Sequence, residues 1–173
     1  MRFALCCFVA LLSLPLFAQN ERASSAAKTS APELTAEGYR DLIVKTADAA
    51  RLLQTSVIKG MQALQSTPVC VLTLDAEKQK LAAQSTADHR KAWTSSRVPK
   101  DLKASHAEIL SWIESAESQF KTAPACMYGG SMPLLLFFGT FGKYDDVRKN
   151  AASALAGMGI TLPPIEKTTP EKK

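Results

Sequence analysis

The sequence predicts an all-α protein, an antiparallel up-down bundle of about four helices with one disulfide and flexible ends. Apolar residues recur at gaps of three and four in four successive segments, and no stretch alternates with period two for long. The segments are separated by short connections, which favour antiparallel neighbours. We therefore expect one helical domain over residues 32–162.

The first eighteen residues have the order of a secretory signal peptide. Arg2 precedes an apolar run from Phe3 to Phe17, and Ala18 is a small residue at the expected cleavage point. The run is about fifteen residues long, shorter than the ~20 that a membrane span needs. We expect cleavage after Ala18 and export to a periplasm or out of the cell, with no membrane span left afterwards. An uncleaved anchor is the alternative.

Both ends of the exported chain are predicted to be flexible. Residues 19–31 are small, polar and without periodicity, and residues 163–173 are rich in proline and charge. Such segments bury too little apolar surface to order themselves. The exported chain would have 155 residues (173 minus 18), a length that suits a single domain.

The first two helices are predicted over residues 32–65 and 69–94. Pro68 separates them, because the residue before a proline avoids the helical conformation. The first helix has a continuous apolar stripe: Tyr39, Ile43, Ala47, Ala50, Leu53, Val57, Met61 and Leu64. The stripe of the second is poorer and includes Val71, Leu74, Leu81, His89 and Trp93.

The third and fourth helices are predicted over residues 99–121 and 133–158. Pro99 suits the first turn of a helix, and Gly159 suits a helix end. The third has inward positions at Leu102, His106, Ile109, Ile113, Ala116 and Phe120. The fourth has them at Leu134, Phe138, Phe141, Tyr144, Val147, Ala151, Leu155 and Met158.

The charge balance argues against nucleic-acid binding. The chain has 21 basic and 16 acidic residues, so loss of Arg2 with the leader changes the net charge from +5 to +4. These charges are mixed along the chain, whereas a nucleic-acid binder usually has a dense basic stripe. We expect no nucleic-acid partner.

Cys70 and Cys126 are the cysteines that remain after the leader is removed, and in an oxidising compartment they predict one disulfide. Two free thiols, or a bridge to a second chain, are the alternatives. If the turn between the second and third helices is centred near residue 97 or 98, the two cysteines lie level across that helical hairpin. The bridge would close a loop of about 57 residues, worth ~4 kcal/mol in the loop-entropy model.

His89 and His106 are the only histidines, and both lie on predicted inward stripes. The same hairpin geometry places them opposite each other, where two imidazoles can hold a metal ion. A closed zinc site needs four ligands, however, and the Glu-x-x-His pattern of carboxylate-bridged metal bundles is absent. We favour half-buried histidines bonded to Ser85, Ser105 or water, which would repel when protonated, and we predict no cofactor.

The sequence gives little support for catalysis. It has no G-x-S-x-G nucleophile elbow, no C-x-x-C-H haem motif and no complete phosphate-binding loop. We therefore predict that the protein is not an enzyme. A metal-dependent enzyme using His89 and His106 is a less favoured alternative.

Residues 132–142 are apolar on every side of the predicted fourth helix. A central core helix is the favoured interpretation. The alternatives are a pocket for a small apolar ligand lined by Phe137, Phe138 and Phe141, and an exposed patch that docks a protein or a membrane surface. We accordingly expect an exported binding or interaction module, with a carrier of small apolar ligands as the alternative.

Overall fold

The computed structural model describes residues 32–61 and 69–165, which are mostly helical. The first helical segment consists of α1 (Ala36–Leu42), a π-helix (Ile43–Asp48) and α2 (Ala49–Ser56), which follow one another directly. Three longer helices follow, α3 (Ala76–Ser95), α4 (Lys103–Thr122) and α5 (Met132–Ala156), and a 3-10 turn (Lys100–Leu102) leads into α4. None of the described helices has both the length and the apolar character needed to cross a bilayer.

The predicted leader, residues 19–31 of the predicted flexible segment and residues 166–173 lie outside the described residues. The first described part of the predicted tail contacts the domain: the carbonyl of Pro163 accepts a hydrogen bond from Arg148, and Ile165 is partly buried against the core.

A small antiparallel sheet corrects the all-α prediction. It contains β1 (Ile58–Met61), β2 (Cys70–Leu74) and β3 (Cys126–Tyr128), in the order β1-β2-β3. The sequence pattern assigns the first two strands to the end of the first predicted helix and the start of the second. Their short runs contain the β-branched Val71 and Thr73, which suit strands, and periodicity cannot separate such runs from a buried helical turn. The bundle arrangement of the helices stays a prediction.

The predicted disulfide joins Cys70 to Cys126, with Cα atoms 5.4 Å apart. The two cysteines lie on the neighbouring strands β2 and β3, and not across a helical hairpin as expected. The bridge therefore fastens the sheet, and the loop that it closes contains α3 and α4.

Side-chain caps determine where two of the helices begin. The Thr35 hydroxyl accepts a hydrogen bond from the Gly38 amide at 3.1 Å, and the Asp75 carboxylate accepts one from the Lys78 amide at 3.1 Å. Each cap satisfies an amide that has no partner inside its helix. As a result α1 begins at Ala36 and α3 at Ala76, later than the sequence pattern indicated.

An aromatic cluster joins the first helical segment to α3 and α4. The Trp93 ring lies 5.7 Å from the Tyr39 ring and 4.7 Å from the His106 ring, measured between centroids. The Trp93 indole nitrogen donates to the Thr46 hydroxyl at 2.5 Å, and the Tyr39 hydroxyl lies 3.0 Å from the Ser105 hydroxyl. Burial raises the pKa of Tyr39 to about 12, so its phenol stays neutral within this cluster.

A buried polar network joins the first helical segment to α5. Asp48 is only 5% exposed, and its Oδ1 accepts from the Tyr144 hydroxyl at 2.6 Å. Arg148 donates to both oxygens of the same carboxylate, at 2.7 and 3.0 Å. Burial and the nearby Asp48 charge raise the pKa of Tyr144, which keeps its hydroxyl a donor. Burial is the largest single effect on Arg148 and lowers its pKa, but the hydrogen bonds and charge of Asp48, together with Tyr144, outweigh it, so the pKa is raised.

We expect Asp48→Asn to lower the free energy of unfolding by about 3 kcal/mol, because it leaves the largely buried Arg148 charge without a counter-ion. Urea unfolding of the variant and the parent protein measures this difference. The matched control is Asp41→Asn, the same change at an exposed carboxylate of the first helical segment, which should leave the free energy of unfolding nearly unchanged. Equal losses for the two variants would contradict a central role for Asp48.

Candidate functional site

The two histidines have different neighbours in the structure. His89 Nε2 lies 3.2 Å from the Ser85 hydroxyl, as the favoured interpretation expected. His106 packs against Trp93 with the two rings tilted by 31°, and its Nδ1 is buried without a hydrogen-bond partner among the described residues. Residues 32–61 and 69–165 contain no group of three or more His, Cys, Asp or Glu side chains placed to hold a metal ion. The metal hypothesis therefore gains no further ligand in this part of the chain.

Burial lowers the pKa of both histidines. Desolvation is the largest cause at each position, opposed at His89 by the charge of Asp88 and at His106 by the backbone of Trp93. Both imidazoles therefore favour the neutral form in the folded protein more strongly than in the unfolded chain.

The outer side of the first half of α5 is a surface of large apolar residues. Four of its side chains are substantially exposed: Met132 (65%), Leu135 (59%), Leu136 (58%) and Phe138 (41%). Gly139 and Gly142 continue the same surface along the helix. We call these six residues the α5 outer face.

The expectation that residues 132–142 form a central core helix was wrong. Leu134 and Phe137 are buried, but the remaining large apolar side chains between residues 132 and 138 are not. The reason is that α5 packs mainly on α4 from one side, with smaller contacts to α2 and the sheet. The opposite side of its first half therefore stays in contact with water.

Hydrogen bonds between α4 and α5 hold this orientation. The Trp112 indole donates to the Thr140 carbonyl at 2.8 Å. The Gln119 side-chain amide donates to the Leu136 carbonyl at 2.5 Å and to the Thr140 hydroxyl at 2.7 Å. These contacts attach the inner side of α5 at two levels, so the α5 outer face cannot turn inward without breaking them.

The three phenylalanines of the predicted pocket have different surroundings. Phe137 is buried, with ring centroids 6.0 Å from Phe138 and 6.4 Å from Phe141. The guanidinium of Arg51 lies 3.3 Å above the Phe141 ring, in a cation–π contact that covers it. Phe138 points partly into water.

A groove of about 560 Å³ runs between α4 and α5. Pro133, Leu136 and Phe137 form its apolar wall, and the α4 wall is mostly polar, with Ser111, Ser115, Ser118 and Gln119. Of the three predicted phenylalanines only Phe137 lines this groove. The groove is therefore amphipathic and open, and it borders the α5 outer face at Leu136.

The leucines of the α5 outer face were present in the apolar motif but were not singled out from the sequence. Their positions on the helix, relative to those of the buried residues, could have indicated which residues share this face. Leu134, Phe137 and Tyr144 share one side of a helix, and Met132, Leu135 and Gly139 lie on the other. Sequence alone did not show which of these two sides the rest of the chain would cover.

We expect the protein to lose stability as the pH falls below the ordinary histidine value of about 6.5. Because folding lowers both histidine pKa values, the unfolded chain binds more protons in this window, and acid favours unfolding. The loss of stability begins near the unfolded-state pKa of about 6.5 and is complete once the pH is below the lowered folded-state pKa values. Urea unfolding at about pH 8 and about pH 5 measures it, with a His89→Gln, His106→Gln double variant as the control, which should show a smaller pH dependence. Equal stability of the parent protein at both pH values would contradict the expectation.

The comparisons with known proteins assign no relationship. No protein-family model matches the chain, and neither curated proteins nor solved structures gave a significant match.

Proposed function

We propose that this chain is an exported, non-enzymatic interaction protein that binds its partner through the α5 outer face. The observation that carries the proposal is the exposure of Met132, Leu135, Leu136 and Phe138 within two turns of one helix. Isolated exposed apolar residues are ordinary, but a contiguous set on one side of an element is typical of a binding surface. The core of the domain does not use these side chains.

Export is supported by the leader pattern together with the disulfide. A bridge between Cys70 and Cys126 is stable in an oxidising compartment and unusual in a reducing one. The order of Arg2, apolar run and Ala18 is the order that signal peptidases recognise. Both features favour a periplasmic or secreted protein.

The non-enzymatic part of the proposal is supported by the roles of the buried polar groups. Asp48, Tyr144 and Arg148 bond to one another, and Tyr39 bonds to Ser105. These contacts explain why the groups can be buried, and burial is the largest cause of the raised tyrosine pKa values, so neither observation calls for a catalytic role. His89 is similarly explained by its bond to Ser85, and the His106 ring packs against Trp93.

A carrier of small apolar ligands is the second candidate, and the groove between α4 and α5 favours it. Its volume of about 560 Å³ lies within the range of small-molecule sites. Its polar α4 wall and open shape suit an amphipathic ligand better than a purely apolar one. This candidate and the interaction protein differ in whether the groove or the α5 outer face does the binding.

We expect Leu135→Glu to reduce binding of the apolar dye anilinonaphthalene sulfonate by the native protein at least about threefold, because it places a charge in the centre of the α5 outer face. Urea stability should change by less than about 0.5 kcal/mol, since the side chain is exposed and does not line the groove. Dye fluorescence and unfolding are measured on the same preparations. The matched control is Leu81→Glu, the same change at an isolated leucine on α3 that is 68% exposed, which should leave dye binding unchanged.

Ser118→Trp separates the two candidates, because Ser118 lines the groove and a tryptophan there fills it. The interaction protein predicts that this variant keeps dye binding and that Leu135→Glu loses it. The carrier predicts the reverse. Loss in neither variant would contradict both.

Export predicts that the protein purified from a host that secretes it begins at Gln19. Intact mass spectrometry should show a chain shorter by residues 1–18, and alkylation of the unfolded chain should label its two cysteines only after reduction. A native protein that keeps Met1, or thiols that react without reduction, would contradict export with a disulfide.

A further inference from the structure

We propose that the α5 outer face binds the same face of a second copy of this chain, with the two α5 helices antiparallel about a two-fold axis. The inference rests on the proposed function of this face as a docking surface and names its partner. Three features support it: the order of large and small residues along the face, the open space at its glycines, and the charges at its ends.

The α5 outer face is self-complementary in sequence order. Suppose that the two-fold axis passes at the level of residue 137. A residue that precedes 137 by a given number of positions in one copy then lies level with the residue that follows 137 by the same number in the second copy. Met132 then lies level with Gly142 of the second copy, and Leu135 with its Gly139. Leu136 lies at one edge of the contact, next to Leu136 of the second copy. Phe138 lies at the other edge, next to Phe138 of the second copy. Met132 and Leu135 thus each meet a residue with no side chain.

The two glycines leave room for this contact. A Cβ atom added at Gly139 or Gly142 would have no atom within 4 Å, so neither glycine serves close packing inside one copy. Glycine in the middle of a helix is destabilising relative to alanine. Close approach of a second helix offsets this cost, because small residues let two backbones come together.

The charges at the two ends of the face fit the antiparallel direction. The first turn of α5 has no acidic residue, and Ser131 gives it no side-chain cap. The antiparallel pair brings Asp145 and Asp146 of the second copy near this helix N-terminus, where negative charge is favourable. Lys143 lies close by and partly offsets the effect, but the net charge of the three residues is negative.

The size of the face sets the expected strength of the dimer. One side of a half-helix offers less than the ~800 Å² per partner of a standard stable interface. We therefore expect a reversible dimer that forms over the micromolar range and dissociates on dilution. A parallel pair is disfavoured, because it would place Leu135 against Leu135 and leave the glycines facing each other across a gap.

Mixed cysteine cross-linking tests the partner and the direction together. Leu135→Cys and Gly139→Cys variants of the full chain are purified, mixed and exposed to mild oxidation. The antiparallel pair predicts a disulfide between the two different variants and little between identical ones. Two copies of the same variant have their cysteines offset by about 6 Å along the helices, at 1.5 Å per residue, in addition to the helix separation. Cross-links within each variant alone would overturn the antiparallel arrangement, and their complete absence would overturn the dimer.

Gly139→Leu distinguishes failure of this inference from failure of the proposed function. The added side chain fills the space that Leu135 of the second copy would enter, while it enlarges the apolar face. We expect the wild-type weight-average mass in sedimentation equilibrium to rise toward twice the monomer mass between about 1 μM and about 1 mM, and Gly139→Leu to stay monomeric. Leu81→Glu is the control and should dimerise like the wild type.

Dye binding provides the second readout of the same preparations. Gly139→Leu should bind anilinonaphthalene sulfonate at least as well as the wild type. A wild-type protein that binds the dye through Leu135 but stays monomeric would overturn the dimer and leave the docking surface standing, for a different apolar partner or a membrane surface. A wild-type protein whose dye binding does not depend on Leu135 would overturn the proposed function itself.

Discussion

Asp48 is a carboxylate that is almost removed from water, and the position of α5 depends on it. A buried carboxylate is stable only when its charge and its lone pairs are matched. The matching groups are the Tyr144 hydroxyl and the Arg148 guanidinium, both on α5, so one side chain fastens the first helical segment to the second half of that helix. Any rotation of α5 would separate Arg148 from its counter-ion. The ion pair of Asp48 with Arg148, in the second half of α5, therefore helps to determine which side of the first half of α5 faces water.

The π-helix around Asp48 is covered on two sides. Thr46 and Asp48 are both buried although residues two apart in a helix point to roughly opposite sides. Thr46 accepts the hydrogen bond of Trp93 on α3, and Asp48 bonds to α5. π-helices are rare and often occur at functional sites. In this protein the polar anchors to two neighbouring helices account for the burial of the segment without a ligand.

The helices could be predicted because their signal is local. Tyr39, Ile43 and Ala47 follow helical spacing, and all three are fully buried. The strands could not, because runs of three to five residues carry too little periodicity to separate them from a helical turn. The bond from Arg148 to Asp48 joins residues 100 positions apart, and neither residue has a local pattern that indicates the other. The same limit applies to the candidate site: residues 132–142 were recognised as unusual, but the side left uncovered depends on where α4 packs.

The two halves of α5 have different relationships to the fold. The second half is held by Tyr144, Val147 and Leu155 in the core, whereas the first half is attached only along its inner side. A domain selected for stability and solubility alone would be served as well by polar residues at Leu135 and Leu136, because exposed apolar side chains add little to folding and promote association. Their presence is better explained by a contact outside the single chain. Because that contact is separate from the core, substitutions on the α5 outer face can change association without unfolding the domain that presents it.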